Sequence, residues 1–75
     1  MSFAAEVRAE MGRQGITSAK LADLANISRP TITRKITQGT KDLTLEQMES
    51  ISGALNVPVW ELMRRAEENA QEEAA

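Results

Sequence analysis

The chain has 75 residues, enough for one domain with a modest core and too few for a second catalytic unit. With no cysteine and no histidine, disulfides, thiolate nucleophiles and Cys/His metal sites are excluded, an enzyme is not expected, and no cofactor or small-molecule ligand is called for. The net charge of −2 hides a split: residues 1–41 hold seven basic and three acidic side chains, and residues 42–75 hold two basic and eight acidic ones. A basic half can meet nucleic acid whatever the total charge, because binding follows the local field. Aromatic residues make up only 3% (Phe3 and Trp60), a poor supply for stacking on single strands. No stretch approaches the ~20 apolar residues of a membrane span, and the N-terminus lacks a secretory pattern, so no membrane partner is expected.

In chain order, Phe3, Val7 and Met11 recur every four residues beside Ala4, while Glu6, Arg8, Glu10 and Arg13 take the other faces, predicting a first helix that ends near Gly12 or Gly15. Thr17 or Ser18 caps a short second helix with Leu21, Ala22, Leu24 and Ala25 on its apolar side. Asn26 tolerates positive φ and stops it, and Ser28 offers a new cap two residues later. Pro30 falls inside the first turn of the third helix, where a missing N–H costs nothing, and Ile32 and Ile36 carry the helix to Gly39. Thr44 and Gln47 form a capping box, with Leu43 stapled onto Met48, for a fourth helix running through Ile51, Ala54 and Leu55 to Asn56. Pro58 opens a fifth, with Val59, Trp60, Leu62 and Met63 apolar, and Trp60 and Leu62 are expected in the core. Beyond Ala66 the apolar stripe thins to alanines, so residues 66–75 are expected as an acidic helical extension or a frayed tail.

The stretch from Ser18 to Gly39 resembles the helix-turn-helix of the Cro/repressor (Xre-like, lambda-repressor-like) family of phage and bacterial regulators, through Leu21-Ala22, Ala25, Ile27-Ser28, Ile32, Ile36 and Gly39. The likeness covers roughly residues 1–65, with one helix before the motif and two after it, the last opening around Val57-Pro58-Val59-Trp60-Glu61-Leu62. It implies an all-α, compact five-helix DNA-binding domain in the bacterial cytoplasm. Two positions depart from the family pattern: Asn26 stands where glycine is usual in the turn, and Ser18 where a phosphate-contacting glutamine is frequent.

At about 100° per residue, Arg29, Pro30, Thr33, Arg34 and Thr37 fall on one arc of roughly 140°, with Ile32 and Ile36 outside it. No acid lies between Asp23 and Asp42. The resemblance implies that Arg29, Thr33 and Arg34 read base edges with Ser28 and Pro30 at the margin, although either arginine could instead meet phosphate. Thr17, Ser18 and Lys20 at the start of the second helix suit a phosphate, with Thr17 open to a capping role alone. Lys35, Thr37, Thr40 and Lys41 would border the second strand, the lysines being equally open to an ordinary surface role. Glu46, Glu49 and the tail should point away from the duplex, which leaves the fifth helix, through Val59, Trp60, Leu62 and Met63, as the candidate homodimer contact against a monomeric binder.

The expected function is a sequence-specific double-stranded DNA-binding transcriptional regulator, a free-standing Cro-like or small phage immunity repressor. Two alternatives remain: an antitoxin-like or anti-regulator protein-interaction module working through the acidic half, and an excisionase-like architectural DNA binder.

Overall fold

Ser2 begins the first helix by accepting the Ala5 N–H, and α1 runs Phe3–Gln14 before Gly15 closes it at φ 68°. The computed structural model describes residues 2–39 and 41–74; Thr40 lies outside the described residues. The second helix, α2 (Ser18–Ala25), starts on Thr17 and ends on Asn26 at φ 56°, the left-handed geometry the turn demands. Ser28 then caps α3 (Arg29–Ile32), which continues directly into a π-helical turn, Thr33–Thr37. The capping box of Thr44 and Gln47 opens α4 (Leu45–Leu55), closed by Asn56 at φ 58°. The fifth helix, α5, extends over Val59–Ala74. No strand occurs among the described residues, and no helix is long and apolar enough to cross a membrane.

Every helix contributes to the core, and its most deeply buried side chains are Val7 from α1, Leu21 from α2, Ile32 from α3, Ile36 from the π turn, Ile51 and Leu55 from α4, and Leu62 from α5, all with under 2% of their surface exposed. Helix α2 lies on α3 and α4, while α1 lies on α5 and on the π turn. Each short helix therefore owes its stability to the face it buries, since isolated helices of this length are marginal in water.

Three expectations are overturned. Glu6 and Glu10 do not sit on open faces of α1; they are 2% and 8% exposed, because α5 runs along α1 and covers them. Asn69 donates to Glu6, while Glu10 accepts from Arg13 (2.8 Å), Gln14 (2.9 Å) and Arg65 (2.7 Å), so both buried carboxylates are satisfied. These hydrogen bonds, first from Gln14 and then from Arg65, hold the Glu10 carboxyl below its ordinary range. Trp60, expected in the core, is 68% exposed, because the buried stripe of α5 is carried by Leu62. Leu24 is 48% exposed, because Leu21, Ala22 and Ala25 already supply the buried side of α2.

Candidate nucleic-acid interface

The second helix-turn-helix element is built so that its core side and its outer side have separate tasks. The Ser28 hydroxyl accepts the Thr31 N–H and shares a 2.8 Å hydrogen bond with the Thr31 hydroxyl, which fixes the start of α3. Pro30 occupies the first turn, and Ile32 and Ile36 pin the element to the core. With those anchors inward, Ser28, Arg29, Pro30, Thr33 and Arg34, all the expected base-reading residues, are exposed.

The straight α-helix assumed from the spacing is replaced over its second half. The Gln38 N–H donates to the Thr33 carbonyl at 2.8 Å, an i→i+5 bond that widens the turn. A π turn holds an extra residue per turn and rephases whatever follows it; such turns are common at functional sites.

Among the expected phosphate contacts, the Thr17 hydroxyl accepts the Lys20 N–H at 3.1 Å and so serves as the cap of α2. The Ser18 and Thr37 hydroxyls lie 3.4 Å apart, which brings the start of α2 beside the end of the π turn. Lys35 Nζ donates to Gln47 Oε1 at 2.8 Å, and Lys35 and Lys41 line one small cleft with Gly39, Asp42 and Leu43. Lys20 and Lys41 are exposed. Glu46 shares a cleft of about 390 Å³ with Ser28, Thr31 and Gln47, beside the start of α3. Of the four apolar residues named on α5, Leu62 is fully buried and has no surface to offer a partner, whereas Trp60 (68%) and Met63 (44%) are open and Val59 is half-buried.

Arg8 was not among the expected site residues, yet its Nη1 donates to the Ile36 carbonyl at 2.6 Å. Nothing in the spacing of α1 distinguishes Arg8 from a solvated charge; only the packing of α1 on the π turn does.

A search of the curated proteins finds no significant match. The sequence does match a family model over residues 6–68, a span that includes the whole helix-turn-helix and ends within α5. On that match, and with the helix order described above, the chain belongs to the Cro/C1-type HTH DNA-binding domain family.

Proposed function

We propose that this protein is a sequence-specific double-stranded DNA-binding transcriptional regulator, a Cro-like or phage-immunity repressor, that occupies an operator with α3 and the π turn in the major groove. The observation that carries this reading is the exposed set Arg29, Thr33 and Arg34 on a segment pinned to the core by two buried isoleucines, in a DNA-binding family. An arginine fork donates two hydrogen bonds to guanine O6 and N7, and threonine offers a hydroxyl and a methyl suited to thymine. Ser28 and Pro30 flank the base-reading residues. Ser18, Lys20, Thr37 and Lys41, with Lys35 where it leaves Gln47, fix the register on phosphate, as do Thr17 and Thr40.

The test is selection of bound sequences from a random duplex library, followed by Arg29→Ala and Arg34→Ala. Each substitution should relax preference at its own base position and cost about 1–3 kcal/mol on the selected site. A parent protein that selects no sequence, or substitutions that weaken all duplexes alike, would sink base readout. Failure to retain any duplex at low salt, together with capture of a basic protein partner, would favour the interaction-module reading instead.

A further inference from the structure

We infer that Arg8 is a positioning residue for sequence reading: by holding the C-terminal end of the π turn from α1, it sets the direction in which the second half of the recognition segment presents Arg34. The inference rests on the DNA-binding reading above.

A π turn has poorer hydrogen-bond geometry than the α-helix it interrupts, and it persists where the surroundings hold it. Here three other helices each reach it through a side chain. Helix α2 reaches Thr37 through Ser18 at 3.4 Å, α4 reaches Lys35 through Gln47 at 2.8 Å, and α1 reaches the backbone itself through Arg8 at 2.6 Å. The Arg8 contact differs in kind. It is charge-assisted, it falls on a carbonyl in the last turn, where the helix end carries partial negative charge, and it bridges 28 residues of sequence. The same Nη1 lies 3.6 Å from where a Cβ would stand on Gly39, so the guanidinium spans the end of the turn from Ile36 to the left-handed residue that terminates it. Ile36 is fully buried on one side and has its carbonyl held on the other, leaving little freedom for the residues between it and Ile32. Those residues are Thr33, Arg34 and Lys35. Without Arg8 the turn can relax toward i→i+4 bonding, which rotates Arg34 relative to Arg29 while both stay exposed.

The experiment compares the parent, Arg8→Met and Arg8→Lys. In the free proteins, Arg8→Met should shift backbone amide resonances of Thr33–Gly39 and leave those of α2 and α4 in place. On DNA, it should lower the ratio of selected-site to random-duplex affinity about tenfold, with base preference lost at the positions altered by Arg34→Ala and kept at those altered by Arg29→Ala. The slope of log K against log[salt] should stay at the parent value, and Arg8→Lys should retain part of the preference. Equal weakening on all duplexes, with a slope smaller by about 1, would make Arg8 a phosphate contact and overturn the inference. Unchanged preference in Arg8→Met overturns it as well, and so does loss of helical circular dichroism in both variants, which would assign Arg8 to folding alone. A parent without any sequence preference defeats the DNA reading and the specificity role together, while the amide shifts separately report whether Arg8 holds the turn.

Discussion

Ser52 is buried on α4, and its hydroxyl is without a hydrogen-bond partner among the described residues. A buried donor left unmade carries its full desolvation cost, so Ser52→Ala should be neutral to stabilising, raising Tm by a few degrees in a domain this small. Thermal unfolding followed by circular dichroism checks it, and a drop of several degrees would show that the hydroxyl has a partner after all. Asn26 presents the opposite case, a residue whose backbone geometry was legible from its identity. Asparagine is one of the few side chains that accept φ near +56°, and its place between two apolar runs marks the turn in the sequence itself. Asn56 does the same for α4 at φ 58°.

At the level of elements, Ser28 and Thr44 cap as read from the sequence and Thr17 is the one of the two candidates, Thr17 and Ser18, that caps α2, because a cap is a local contract between a hydroxyl and an N–H three residues on. What the sequence hid was long-range. Glu10 meets Arg65 across 55 residues and Glu6 meets Asn69 across 63, so an α1 that looks half solvated becomes a buried seam only once α5 is laid along it. The π turn was hidden for a different reason: Ile32 and Ile36, four apart, fit an α-helix equally well. The seam has a pH signature. Glu10 is held below its ordinary carboxylate value near 4.5, so its contribution is present in full above that value and is lost as pH falls through the lower folded-state value. Urea titrations at pH 7 and at about pH 3 should show the parent losing stability on acidification, and Glu10→Gln, weaker at pH 7, losing less. Equal losses in both proteins would remove Glu10 as a source of acid sensitivity. The Arg64 pairs with Glu61 and Glu68 involve a half-exposed arginine and neighbours on the same helix and should matter little.

Across the whole molecule, the charge split is sharper in three dimensions than in the sequence. Two of the three acids of the basic half, Glu6 and Glu10, are drawn into the α1–α5 seam, leaving Asp23 as that half's only exposed acid. Glu46 is the exception on the other side, placed beside Ser28 and Thr31 rather than remote from them. On α5, Trp60 and Met63 are exposed and Val59 is half-buried, so these are the apolar groups open to contact with a second copy. Trp60 is the chain's only tryptophan, so its emission reports this surface alone. If the protein dimerises there, emission should move to shorter wavelength with rising concentration, and Met63→Lys should abolish the shift and hold sedimentation at the monomer value. Three phosphate neutralisations per subunit, by Lys20, Lys35 and Lys41, would give a salt slope near −3 for a monomer and near −6 for a dimer spanning half-sites ~34 Å apart. A concentration-independent spectrum with a slope near −3 would mean a monomeric binder.

The π turn should also let the recognition segment accept a change in length. Deleting Lys35 would leave the two core isoleucines three residues apart, still on one face of an ordinary α-helix. The anchors would stay seated while Thr33 and Arg34 took a new phase against the groove. Such a variant should keep its helical circular dichroism and select a different operator, and recovery of the parent's sequence from the same random library would refute this. Evolution in this domain would then have a route to new binding sites that runs through single-codon insertions and deletions, with the core left untouched.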